Sequence, residues 1–291
     1  MTVLVTVGLA SAFVTLNVLS HGSGRTSATR THQAGATSPR HPATQSETAA
    51  AVARVQAGEW MARQLGPGTT VACDPQMCSV LRTAGLHAGR LLVLRLPASD
   101  PRGAEIVVAT LAVRSLLGAR LASVYAPEVI AIFGSGATRI EVRYGAPGVA
   151  HASEASQAAD RGARAAAGQQ LLRNQRILTS QTARTALAAG SVDPRLLVTL
   201  AALAAQPAVV QQQMSVVAFG DSSPGVTDAP LRDAEIGTGS PVGAHAMLSF
   251  LLAQQPPFQP AEAHLVRQAD GQYVVNVQFD APSPLGLSAG P

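Results

Sequence analysis

Residues 69–85 read Thr-Thr-Val-Ala-Cys-Asp-Pro-Gln-Met-Cys-Ser-Val-Leu-Arg-Thr-Ala-Gly, and this stretch decides the fold class. Residues 69–73 form a short apolar run of strand type. Asp74 then offers a side-chain acceptor for the free N–H groups of a helix, Pro75 suits the first helical position, and Gly85 suits the residue past the end. A strand running directly into a helix is the repeating half of an α/β domain. Upstream, 48–65 reads as a helix on the spacing of Val52, Val55, Glu59-Trp60 and Arg63, stopped by Gly66-Pro67-Gly68. Downstream, 91–96 and 105–110 read as strands, the second buried on both faces because of its Ile-Val-Val run. A helix over 111–121 follows, then a hairpin of 128–133 and 138–143 around Gly134-Ser135-Gly136. Residues 48–148 thus predict a small α/β lobe whose mixed sheet ends in a hairpin.

The rest of the chain predicts a second such lobe over 150–291. Residues 150–172 form an alanine-rich connecting helix with Arg161, Arg164 and Arg173 on its surface. A strand at 176–180 follows. Asp193-Pro194 opens a helix through Leu196, Leu197, Leu200 and Leu203. Residues 214–219 form a strand ending in Gly220-Asp221-Ser222. A helix over 242–254 stops before Pro256-Pro257, and strands at 264–268 and 272–279 flank the hairpin turn Asp270-Gly271. The expected order is β-α-β-α-β-β.

At the other end, residues 2–20 carry no charge and are mostly apolar. At ~1.5 Å per residue they reach roughly 28 Å, enough for a single-pass membrane anchor or the core of a signal segment. The three arginines after the segment, taken literally, place the C-terminal side of the span in the cytoplasm; we expect instead that a basic leader precedes residue 1. Residues 21–47 are rich in Gly, Ser, Thr, Ala and Gln, have no apolar period, and read as a disordered linker.

The 291 residues are 47% hydrophobic and only 13% charged, a globular composition with few charges. The chain has no lysine, which excludes P-loop, Schiff-base and kinase-type lysine chemistry. Arg25, Arg30 and Arg40 supply three of the four net positive charges, so the folded part is near neutral and carries no footprint for nucleic acid. The two cysteines, Cys73 and Cys78, lack the further ligands that zinc needs. They read either as a short disulfide, which suits an exported domain, or as two core thiols. The chain contains neither G-x-S-x-G nor H-E-x-x-H, and His87, His151, His245 and His264 are far apart. Asp74 and Asp100 near strand ends would suit acid–base work as a pair, yet each precedes a proline, and a capping or turn role accounts for both. No catalytic residue, metal or cofactor is expected.

Two resemblances extend this reading. Gly58-Glu59-Trp60, the strand running into Asp74-Pro75, Asp100-Pro101, Ile106-Val107-Val108, and Phe133-Gly134-Ser135-Gly136 leading to Arg139-Ile140-Glu141-Val142 resemble the extracytoplasmic soluble domain of actinobacterial membrane glycosyltransferases over residues 60–147. That resemblance implies an α/β module outside the cytoplasm, attached to a membrane segment through residues 2–20, with envelope glycan or glycosyltransferase machinery as partner and no assigned catalytic residues. The transferase's multi-span region and Asp-x-Asp pair are not in the sequence. Gly220-Asp221-Ser222 and Pro230-Leu231-Arg232-Asp233-Ala234 are faintly similar to OmpA-like peptidoglycan-binding domains over residues 176–280. Asp221 takes the family's aspartate position, whereas four residues after Leu231 stands Glu235 in place of the family's arginine. Asp221 and Arg232 are the candidates there, against a turn-capping aspartate and a surface arginine. The expected function is a non-catalytic binding or scaffolding role at the cell envelope. Its alternatives are peptidoglycan binding through the second lobe and an envelope hydrolase or transferase using Asp74, Asp100 and Asp221.

Overall fold

Helix α1 (Ala43–Gln64) leads into strand β1 (Val71–Cys73) and helix α2 (Pro75–Thr83) in the structure, a computed structural model that describes residues 43–95, 100–145, 154–206, 213–220 and 223–283. The membrane-anchor expectation for residues 2–20 and most of the expected linker lie outside the described residues. α1 begins at Ala43, inside the stretch expected to be linker. Its buried stripe is Ala53, Ala57, Trp60, Met61 and Gln64, whereas Val52 and Val55, part of the spacing that reads as this helix, are about half exposed. Small residues face inward because α2 comes close: a Cβ at Gly58 would lie 3.0 Å from Val80.

β1 is joined by β2 (Leu91–Val93) and β3 (Ile106–Ala109), followed by α3 (Leu111–Leu117), a π-helical turn at Leu121–Tyr125, β4 (Glu128–Phe133) and β5 (Ile140–Tyr144). The sheet order is β2-β1-β3-β5-β4. β1 runs parallel to both neighbours, and β5 runs antiparallel to both of its own. Both faces are covered. Ile106 and Val108 join the core under α1 and α2, while Val107 and Ala109 join the core under α3. β3 is buried at every residue, which accounts for its unbroken apolar run.

α4 (Glu154–Arg173), β6 (Ile177–Thr179), α5 (Gln181–Ala189), α6 (Pro194–Ala205), β7 (Met214–Gly220), β8 (Asp233–Thr238), α7 (Pro241–Leu252), β9 (Glu262–Arg267) and β10 (Tyr273–Gln278) build the second sheet and its helices. The strand order is β6-β7-β8-β10-β9, with only β6 and β7 parallel. All four helices contribute to one apolar core with Ile177, Met214, Val216, Ala234, Ile236, Val275 and Val277. The protein is therefore a mixed α/β molecule with two five-stranded mixed sheets. Two elements depart from the expected order. α5 was not expected, although Ser180 caps it and Gly190 closes it in the left-handed conformation. β8 was not expected because Asp233, Glu235 and Gly237 are poor strand formers; it forms because β7 and β10 pair with it on both sides. Among the described residues no helix is long and apolar enough to cross a membrane.

Candidate functional site

Both sheets belong to one compact unit, His41–Pro291, and a clasp joins them. After β10 the chain turns back onto the first lobe, where Ala281 N donates to Gln64 O at 2.6 Å. Arg232, at the head of β8, donates to Gln64 Oε1 at 2.9 Å, to Phe279 O at 3.1 Å and to Ser223 Oγ at 3.2 Å. Arg195 forks onto Asp193 at 3.0 and 2.9 Å, reaches Asp280 O at 2.7 Å, and stacks on Phe279. A second junction lies at the edge of the first sheet, where Ile132 N of β4 donates to Pro224 O at 2.7 Å.

Between these junctions lies a cleft of about 280 Å³. One wall is residues 127–130 of the first lobe. α4 of the second lobe also lines the cleft, through Gln157, Asp160, Arg161 and Arg164. Ser223, Val226, residues 228–230, Arg232 and residues 281–283 complete it. The walls are held from behind. Arg143 donates to Ala126 O at 2.6 Å and to Pro127 O at 2.9 Å, which fixes the start of β4, and Glu141 balances its charge. α4 is pinned against α5: a Cβ at Gly168 would lie 2.2 Å from Leu187 O, and Arg164 Nε donates to Gly190 O at 2.8 Å.

The charged groups of the cleft differ in how far they are engaged. Arg232 is committed to the clasp, and Arg161 faces Asp228 at 3.6 Å in an exposed pair. Arg164 is only 8% exposed and, among the described residues, makes one hydrogen bond, through Nε. Burial pulls its guanidinium below the ordinary arginine value; Asp160 and Asp193 support its charge and Arg161 opposes it. Glu128 is half-buried on the first-lobe wall, and burial raises its carboxyl above the usual range. Burial likewise raises Asp280 beside the clasp, against the pull of Arg195, Arg232 and Arg90.

The residues singled out in the sequence lie elsewhere, with one exception. Asp74 Oδ1 accepts from Gln76 N and Met77 N at 2.9 Å each, and its Oδ2 accepts from Thr110 Oγ1, so it is bound into the caps of α2 and α3. Asp100 is exposed, accepts from Arg102 N at 2.9 Å, and precedes β3 rather than following a strand. Its turn meets the chain at Thr70, on the far side of β1 from Asp74. The two do not form a carboxylate pair. Asp221 lies outside the described residues. Arg232 lines the cleft but is 2% exposed, which corrects its reading as a surface arginine. Cys73 and Cys78 form a disulfide that ties the end of β1 to the first turn of α2, with Cα atoms 5.4 Å apart. His87 accepts from Gly89 N, His245 lies against Pro241 O, and His264 faces Glu262; His151 is outside the described residues.

Sequence reading passed over Glu128 and Asp160 and placed Arg164 on the helix surface, whereas the structure buries it. The arginine is one of several on an alanine-rich helix, and its burial depends on α5, the helix that the sequence did not announce. Its signal was indirect: Gly168 and Gly190 permit the close helix contact that encloses it. No protein-family model, curated protein or solved structure matches the chain, and the cleft stands on its own geometry.

Proposed function

We propose that the protein is a membrane-anchored, extracytoplasmic module that holds a ligand or partner at the cell envelope without transforming it. The observation that carries this reading is the inter-lobe cleft: its walls are fixed from behind, and Glu128 of the first lobe and Arg164 of the second both line it and have charge to offer. Export is supported by the Cys73–Cys78 disulfide, a bond that persists in oxidising compartments. The anchor rests on the apolar stretch at 2–20 with the linker after it, and the envelope role on the resemblance of residues 60–147 to the glycosyltransferase-associated module. The fainter OmpA-like resemblance adds peptidoglycan as a candidate ligand, but Arg232 is not its anchor, because that guanidinium is engaged inside the clasp.

Thiol labelling in intact cells with a membrane-impermeant reagent, combined with co-sedimentation of the full-length protein with cell envelopes, tests the reading. Both sulfurs are buried, so the reagent is applied to intact cells in mild urea; labelling of Cys73 and Cys78 only when reductant is also present, and recovery of the protein with the envelope fraction, are expected. Free thiols that label only after lysis would place the lobes in the cytoplasm and overturn it.

A further inference from the structure

We infer that the cleft recognises a zwitterionic α-amino acid or short peptide, with its carboxylate on the terminal nitrogens of Arg164 and its ammonium on Glu128. This deepens the binding-module reading and rests on it. Arg164 is more than nine-tenths buried, and its one hydrogen bond is from Nε to Gly190 O. Neither Nη atom has a partner among the described residues. A guanidinium held at one nitrogen keeps its fork in a set plane, the geometry that takes a carboxylate with two parallel bonds. Glu128, on the first-lobe part of the cleft lining, has no hydrogen bond or ion pair at its carboxylate among the described residues.

The two groups do not pair with each other. Each therefore carries the cost of a partly buried charge in the empty protein, and a ligand with both counter-charges relieves both costs at once. The other charges are engaged or supportive. Arg161 faces Asp228, Arg232 is held in the clasp, and Asp160 steadies the charge of Arg164. A phosphate dianion suits the site less well, since it would lie beside the carboxyl groups of Glu128 and Asp160. Val129, Pro230 and Pro282 supply apolar wall for a short aliphatic body, and the volume limits the ligand to about two small residues. Arg161 and Arg164 also border a neighbouring groove beneath α5, whereas Glu128 borders the cleft and not that groove. The Glu128 variant therefore tells the two apart.

Calorimetric titration of the full-length protein tests the inference with three probes: alanylalanine, its N-acetylated form and its C-terminal amide. The zwitterion is expected to bind, with each capped form weaker by about tenfold or more, the usual cost of losing a charged hydrogen-bond partner. Arg164→Gln should weaken the dipeptide by about tenfold or more. Because that variant also loses the bond to Gly190, the near-isosteric Glu128→Gln is the second arm. It should bring the dipeptide and its N-acetylated form to similar affinity. Absence of dipeptide binding by the folded wild-type protein, or unchanged affinity in both variants, would overturn the inference. Envelope co-sedimentation that persists without dipeptide binding removes only the ligand class. Dipeptide binding without co-sedimentation removes the envelope reading instead.

Discussion

At the scale of single residues the molecule is governed by a few buried charges at its junctions. Asp193 has no exposed surface, caps α6 through Arg195 N at 2.8 Å, accepts from Ser283 Oγ, and is balanced by the Arg195 fork. Arg195→Ala leaves that carboxylate buried with its main counter-charge gone. We expect it to lower the unfolding free energy by about 3–5 kcal/mol, read from urea titration. The double change Asp193→Asn with Arg195→Met should recover most of the loss, because it removes both charges together. Loss of less than about 1 kcal/mol in the single variant would show that other groups already neutralise Asp193. Glu128 works with the opposite sign. Its ordinary value is near 4.5 and burial raises it in the fold. The folded protein therefore holds this proton more tightly than the unfolded chain does. The associated stability is complete below about pH 4.5 and is lost as pH rises through the folded value. Glu128→Gln should raise the thermal midpoint at pH 7 and flatten that part of the pH profile. Asp160, Arg161, Arg164, Asp228 and Arg232 around the cleft and Tyr144 on the neighbouring strand remain unchanged in the comparison. A midpoint lowered at pH 7 would refute the assignment of an uncompensated carboxyl there.

At the scale of elements, the close contact of α4 and α5 positions the cleft wall. Gly168→Ala sets a methyl group where only 2.2 Å separates it from Leu187 O, in helical backbone where alanine is otherwise favourable. The helices must part, at a cost of about 1–3 kcal/mol in stability. Arg164 should lose its hold on Gly190, so that dipeptide affinity falls along with the thermal midpoint. Stability equal to wild type would mean that the helices slide apart without strain. The same elements show how far the sequence can be read. The strand-to-helix step at Asp74-Pro75, the doubly buried β3 and both closing hairpins are legible because each depends on local chemistry: a cap, an apolar run, a turn. α5 carried a cap and a closing glycine but has only nine residues, too few for its apolar period to stand out. β8 could not be read locally, since its strand state comes from partners on both sides. The cleft was less legible still. Asp74 and Asp100 attracted notice as acids beside prolines and are a cap and a turn. Arg164 and Glu128 matter only because two distant segments enclose them.

At the scale of the whole molecule, the question is whether the two sheets unfold together. Each has its own apolar core, so the coupling must come from the junctions. Arg232 is the central group: one guanidinium bonds Gln64 from α1, Phe279 from the end of the second sheet, and Ser223 from the segment that also carries Pro224 to the edge of β4. Trp60, the only tryptophan of the chain, is buried in the first lobe edge-to-face with Phe133, at 6.0 Å between ring centres. Its fluorescence therefore follows the first lobe, whereas far-ultraviolet circular dichroism follows both. In the wild-type protein the two signals should trace one urea transition, the mark of a single cooperative unit. Arg232→Ala removes the shared group and leaves Gln64 Oε1 and Phe279 O without their donor inside the clasp, at about 1–3 kcal/mol for each group left unsatisfied. The two signals should then separate, with the tryptophan transition displaced from part of the dichroism change. Coincident transitions at a lower midpoint would show instead that the Ile132–Pro224 junction and the Ala281–Gln64 backbone bond suffice to couple the sheets without Arg232. The Arg232 bonds would then be dispensable to the cleft, and Arg232→Ala would leave its ligand affinity nearly intact.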